Sequence, residues 1–482
     1  MDLNVIASVR ERERPAAAPT VFDSPEAPAE PGILHQLSSD LEHVDLAAPP
    51  VVLPDFHHKS SMEMPSSLAV ATLDTIRPPF TSASVNCGMA LIALDIDPPP
   101  SGTIHRFFEG VRGRFPHPPG WRRGLTYSEV LRAAAEGAPF AVDRFGLDPE
   151  GLERIEEGGR LDVDRFGGAD RLRRELPWLS LQLSRIRFGT VGPSNHFVEL
   201  QEVEEVFDAP AAGRLGLSRG QMTIQYHAGG GVLAGQIGRL FVRRKKMSKP
   251  IKLQMALQKP LFHMKAPGSL QQLRERLALY FRDGDAAVPR DSREGERMML
   301  GNAAAMNYGF AFRGATYAGL CAEAGKTFGA RTARLIVDSP HNSIYEEEVE
   351  GRSAVVHRHN SCRAYPASKM PPGTAFGEVG QAVLVPGTNR TSSYVCLGVE
   401  GAQRSLYSAC HGAGTLIQEF EQRGDSAPDP ARRETLRFSY SGAEPARVPQ
   451  LDDAGVNAAI RILSDNHLVR PVARLRPVAV LT

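Results

Sequence analysis

The chain carries no excess of either charge. Across 482 residues, 56 lysines and arginines stand against 55 aspartates and glutamates, a formal net charge of +1. No global field favours nucleic acid, so any anion site must be built locally. Cysteine is also scarce: Cys87, Cys321, Cys362, Cys396 and Cys410 show no paired spacing, which argues against a disulfide framework and fits a reducing, cytoplasmic compartment. There is no run of about 18 apolar residues and no apolar core in the N-terminal segment. Membrane spanning and secretion are therefore not expected, and neither is a membrane partner. The length suits two or three domains, or one large fold that absorbs them.

What is present changes along the chain. Residues 8–33 are rich in Pro, Ala, Glu and Arg and offer little to bury, so the sequence predicts a disordered arm over 1–45 and a folded domain over 46–482. Val51-Val52-Leu53 reads as a strand ending at Pro54-Asp55-Phe56-His57-His58. Asp55 and His57 could share a site, and an aspartate capping the local backbone explains the segment equally well. Asn86-Cys87-Gly88 leads into a buried strand over Ala90–Leu94. Between 100 and 150 only Tyr127–Glu136 reads as helix. The block Arg243-Arg244-Lys245-Lys246-Met247-Ser248-Lys249 is the one strong charge run, either a solvated loop or a contact to a phosphate backbone. Residues 269–283 predict an amphipathic helix with Leu270, Leu273, Leu277 and Phe281 on one face, and a longer helical region follows from Glu294 to Ala324.

Histidines recur where strands meet glycine-rich or polar turns. Gly189-Thr190-Val191-Gly192 precedes Asn195, His196 and Glu199 at the start of an alternating strand. Thr223–Tyr226 runs into His227 and three glycines, and Leu335–Asp338 opens on His341. Ala382–Val385 leads to a turn with Thr388, Ser392 and Ser393. Cys87, His196, His227 and His341 thus all sit at strand-to-loop junctions, as residues gathered at one open end of a sheet core would. One thiolate and three imidazoles suit a borderline divalent ion such as Mn, Zn or Co. His411, in Ser408-Ala409-Cys410-His411-Gly412-Ala413-Gly414, can act as a nucleophile toward phosphorus where glycines allow close approach. Taken alone, that segment reads more readily as a Gly-rich turn with a satisfied histidine.

Together these motifs resemble the RtcB family of RNA ligases. Pro54-Asp55-Phe56-His57, Asn86-Cys87-Gly88, Glu156-Glu157-Gly158-Gly159, Asn195-His196-Phe197-Val198-Glu199, Asp338 with His341-Asn342, His357-Arg358, Pro386-Gly387 and His411-Gly412-Ala413-Gly414 follow the family's order. The resemblance implies a single α/β catalytic domain with mixed sheets and flanking helices, monomeric or weakly oligomeric. It also implies one or two Mn²⁺ ions and GTP. Cys87 would bridge two metals, with His196 at the first and His227 and His341 at the second. His411 would accept the guanylate, and Asn195, Glu199, Thr388, Ser393 and the Ala413 backbone would contact the nucleotide. The implied activity joins an RNA 3′-phosphate or 2′,3′-cyclic phosphate end to a 5′-hydroxyl end, as in tRNA splicing and RNA repair.

Four differences from that pattern involve five positions. Ser84 stands where the family has a metal-binding aspartate, Gly230 and Gly231 where it has serine and arginine, Thr415 at a basic position, and Thr482 in place of a terminal lysine. Each lost charge-assisted contact costs about 1.5–3 kcal/mol. These losses keep two other readings open: a catalytically impaired relative that binds RNA ends or nucleotide, and a metal-dependent cyclic phosphoesterase.

Overall fold

The structure, a computed structural model, describes residues 18–118, 120, 124–193, 195–245, 247–265, 269–281 and 286–482. It has the mixed α/β architecture expected from the sequence. The larger sheet orders its strands Ala382–Val385, Ser393–Gly398, Val469–Leu481, Phe197–Val206, Met222–Ala228, Gly88–Leu94 and Ala333–Pro340, each antiparallel to its neighbour. Gly88–Leu94 is buried at every position. Covered on both faces, it shows the continuous apolar run of a central strand and no alternation.

The second sheet orders Thr20–Val21, Val51–Val52, Leu68–Thr72, Arg352–His359 and Asn342–Val349. The chain passes directly between the sheets at His341: Ala333–Pro340 belongs to the first and Asn342–Val349 to the second. That crossing is where the candidate site forms.

One face of the larger sheet is covered by helices gathered around Arg293–Phe328. Ser292 caps this helix by accepting the Gly295 N–H at 2.9 Å, and Gly329 ends it in the left-handed region at φ 72°. Residues 298–315 are buried on all sides, so the helix shows no polar stripe to solvent. The predicted helix Tyr127–Glu136 is present with a capping box between Thr126 and Glu129. A helix over Ser101–Arg114, whose glycines mask its pattern, was not foreseen.

Two expectations need correction. Residues 18–45 are not a disordered arm: they form the Thr20–Val21 strand and the Pro31–Asp40 helix, with Phe22, Leu37 and Leu41 buried. A few well-placed apolar residues suffice because an existing sheet edge receives them. Residues 1–17 of the expected arm lie outside the described residues. The amphipathic helix forms over Leu270–Phe281 with its expected face only partly covered: Leu273 and Phe281 are half-buried, Leu270 and Leu277 are exposed, and Arg276 and Tyr280 are buried.

Candidate metal centre and nucleotide site

The strand register brings four predicted residues together. Gly88 pairs with both Ala228 and Pro340, and the His341 N–H donates to the Cys87 carbonyl at 2.9 Å. Phe197 pairs with His227, which sets His196 alongside. As a result Cys87 Sγ lies 3.2 Å from His227 Nε2 and 3.5 Å from His196 Nε2, and His227 Nε2 lies 3.0 Å from His341 Nε2.

These donors fit a divalent cation. His227 Nδ1 is engaged by the Asn195 carbonyl at 2.7 Å, which fixes the ring as an Nδ1–H donor and leaves a lone pair on Nε2. His341 Nδ1 is buried with no hydrogen-bond partner. The ligand atoms of Cys87, His227 and His341 all lie within 4.8 Å of one another. A tetrahedral ion with Zn-like bond lengths spans ligand edges of about 3.3–3.6 Å, a few tenths of an ångström beyond the separations seen here. Burial first, then neighbouring imidazoles and the Arg313 cation, hold His227 and His341 well below the usual imidazole range. Both are neutral at neutral pH. Burial pushes the Cys87 thiol up to about 12, opposed by Arg313 and the Gly88 N–H, so thiolate ligation requires the ion's own charge.

His411 arrives from a different part of the fold. Ser361–Arg363 pairs with Ser408–Cys410, Cys410 opposite Ser361, and the Ser361 N–H donates to the His341 carbonyl at 3.0 Å. The His411 ring therefore lies 4.5 Å from that of His341. It keeps partial solvent contact. Burial, followed by the nearby His57 and His359, nonetheless holds it down to about 4, so its ring nitrogen is unprotonated and available.

Of the residues expected at the nucleotide, Glu199, Thr388, Ser393 and Ala413 are joined through neighbouring hydrogen bonds, whereas Asn195 is exposed and its carbonyl engages His227. Glu199 is buried and pushed up to about 8 by that burial, and it accepts a bond from Gln201 Nε2 at 2.6 Å. Gln201 Nε2 also reaches Ser393 Oγ at 3.1 Å, and the Gly387 N–H donates to the same hydroxyl at 3.2 Å. Thr388 follows in that loop, where the Arg390 N–H donates to its Oγ1 at 3.2 Å. The Ala413 N–H reaches the Pro386 carbonyl at 3.3 Å.

The departing positions have clear structural settings. Ser84 is exposed, and its carbonyl accepts the Cys87 N–H at 3.0 Å. A Cβ on Gly230 would lie 2.0 Å from the Val85 carbonyl oxygen, and one on Gly231, at φ 76°, 2.7 Å from the rings of Tyr308 and Phe312. Helix Gly231–Leu240 thus packs too closely for side chains at its start. Thr415 Oγ1 lies 3.1 Å from His57 Nδ1. The Thr482 N–H donates to the Phe438 carbonyl, and its neighbour Leu481 pairs with Val198 at this same sheet end. In the basic run, Arg244 is buried against Glu63 at 3.0 Å and the Thr81 carbonyl at 2.8 Å, so it cannot meet a phosphate backbone. Lys246 of that run lies outside the described residues.

Arg313 supports the site without any motif to mark it, and Asp55 supports it differently from the local cap expected. Arg313 is buried and pairs with Asp338 at 2.6–2.7 Å, while its Nη1 donates to the Asn86 carbonyl. The signal was there: an arginine within an apolar 36-residue helix must find a partner. Asp55 does cap, but not locally. Its Oδ1 accepts the Leu416 N–H at 2.7 Å, at the start of helix Gly414–Arg423, just beyond His411.

A family profile described as tRNA-splicing ligase RtcB matches residues 40–482. The tRNA-splicing ligase RtcB of Thermococcus kodakarensis is 28% identical over 455 residues, covering 89% of this chain and 86% of that protein. The RNA-splicing ligase RtcB of Mycobacterium tuberculosis is 30% identical over 371 residues, 73% of this chain and 75% of that one. The tRNA-splicing ligase RtcB of Pyrococcus horikoshii is 28% identical over 372 residues, 74% of this chain, which spans only 39% of that longer relative. With a family match across most of its length, the chain belongs to the RtcB family.

Proposed function

We propose that this chain is an RNA ligase that joins a 3′-phosphate or 2′,3′-cyclic phosphate end to a 5′-hydroxyl end, using GTP and His411 as the nucleotide-carrying nucleophile. The observation that supports it most is the His411 ring, unprotonated and 4.5 Å from His341, beside a thiol and three imidazoles. The His411 ring nitrogen attacks the α-phosphorus of GTP; an N–P bond forms and pyrophosphate leaves. GMP then passes to the RNA 3′-phosphate, freeing the imidazole. The 5′-hydroxyl attacks the activated phosphate and GMP departs. A cyclic end is first opened by water.

Cys87, His227 and His341 would hold a divalent ion, Mn²⁺ by family resemblance, which would neutralise phosphate charge. His196, on the other side of the thiol, has no carboxylate beside it because Ser84 replaces one, which favours one ion over two. Glu199, Ser393, Thr388, Asn195 and the Ala413 backbone would orient the nucleotide.

Incubation with radiolabelled GTP and Mn²⁺ tests this reading. A covalent adduct is expected on the wild type and not on His411→Ala; no adduct with any divalent metal, or an equal adduct on the variant, overturns it. The exposed Ser84 and the close-packed Gly230 and Gly231 favour one second reading, a catalytically impaired relative that binds RNA ends or nucleotide, which would bind RNA without metal and form no adduct.

A further inference from the structure

Helices Lys249–Met264 and Leu270–Phe281 bury charged groups beside Met255, Phe262 and Tyr280 and expose a run of apolar ones. Their buried sides hold polar and charged groups: Lys259 Nζ donates to the Val242 carbonyl at 2.8 Å, His263 Nε2 bonds the Leu240 carbonyl at 2.9 Å, and Arg276 pairs with Glu294 at 2.5 Å. Their outer sides hold Leu253, Leu257, Leu261, Met264, Leu270 and Leu277, with exposures of 42–77%. Six of the ten exposed large hydrophobic residues among those described lie in this one segment. A seventh, Trp178, lies two residues before Ser180, whose hydroxyl bonds Gln258 Oε1 at 2.8 Å. Apolar surface gathered in this way marks an interaction site.

The shape and charge of the patch identify its partner. Leu253, Leu257, Leu261 and Met264 follow one another at four, four and three residues and so form one stripe. Side chains lining a groove shield one another; these are 57–71% exposed and project as a ridge. Exposed Lys249 and Lys265 lie within about a quarter turn of the stripe's centre, one on each side. Of the ten lysines and arginines in residues 243–281, Arg244, Lys259 and Arg276 are buried, while Lys245, Lys249, Lys252, Lys265 and Arg274 are exposed beside a single acid, Glu275, in a chain of net charge +1. A second copy would bring like charges together, and RNA has no use for aliphatic side chains. We propose that this ridge is a peripheral docking surface for an anionic lipid bilayer, its leucines entering the interface and its lysines meeting the headgroups. None of the described helices is long and apolar enough to cross a membrane, and lying on one needs no such helix.

Sedimentation of the full chain with phosphatidylcholine vesicles, with and without phosphatidylserine, tests the proposal. Wild type is expected to sediment only with the anionic vesicles, and less as salt rises. The double variants Leu257→Glu with Leu261→Glu, and Lys249→Glu with Lys265→Glu, should each partition about tenfold less. Melting curves check that both variants fold; should the leucine pair fail to, the lysine pair decides. Wild type remaining in the supernatant, or a folded variant sedimenting as wild type does, overturns the proposal. A wild-type dimer by light scattering that becomes monomeric in the leucine variant assigns the ridge to a second copy instead, and also overturns it.

Discussion

His227 Nε2 faces His341 Nε2 across 3.0 Å, with the Cys87 sulfur 3.2 Å from the first of them. Because His227 Nδ1 is engaged by the Asn195 carbonyl, the His227 lone pair has nowhere else to point. Mn²⁺, Co²⁺ or Zn²⁺ is therefore expected to raise the melting temperature of the wild type. Ion at a hundredfold excess over its Kd contributes about 2.7 kcal/mol. His227→Ala and Cys87→Ala should lose that rise, and an equal rise in either would place the ion elsewhere.

Arg313 and Asp338 form a fully buried pair beneath this cluster. Arg313→Met strands the Asp338 carboxylate and the Asn86 carbonyl, with an expected cost of about 3–5 kcal/mol. Adding Asp338→Asn should recover part of that loss. A double-mutant cycle by urea unfolding measures the coupling, and additive effects would mean that the pair contributes nothing specific.

Gly231 stands where the family resemblance implies an arginine, and the structure has no room for one there. The left-handed φ of 76° and the ring contacts of a Cβ make Gly231→Arg destabilising by about 2–4 kcal/mol. Thermal unfolding of the variant checks this, and an unchanged melting temperature would contradict it.

Stability should fall in mild acid. Burial pushes His357 and His359 down to about 4, whereas in the unfolded chain they bind protons near 6.5. Between those values the unfolded state holds more protons, so stability is fully present above 6.5 and is lost as pH falls toward 4. Each histidine contributes at most about 3 kcal/mol. Asp55, pushed up to about 7, acts in the opposite sense, its contribution being lost as pH rises toward 7. In His357→Gln, urea unfolding at several pH values should show a shallower slope over 4–6.5; an unchanged slope would remove His357 as a cause.

Much of the candidate site was legible because its residues sit at strand ends. The segments Ala90–Leu94, Thr223–Tyr226 and Leu335–Asp338 mark strands, and a residue just before or after each one lies near a sheet end. Cys87, His227 and His341 follow from that local pattern. The order of motifs added His411 and the nucleotide residues through family resemblance.

Other features depended on contacts across long stretches of chain. Asp55 caps a helix that begins some 360 residues later, and Arg313 supports the Cys87 turn from another helix, because hydrogen bonds and ion pairs depend on spatial neighbours. The Leu270–Phe281 helix has the periodicity of an amphipathic segment, yet periodicity defines a face without saying which way it turns. Glu294 in the neighbouring helix bears on that: it pairs with Arg276 on the buried side, while Leu270 and Leu277 stay exposed. The sequence by itself determined which residues close the buried strands, since strand ends are set locally. Only the tertiary structure decided which atoms face one another, because those distances come from sheet register and from where the chain crosses between sheets at His341.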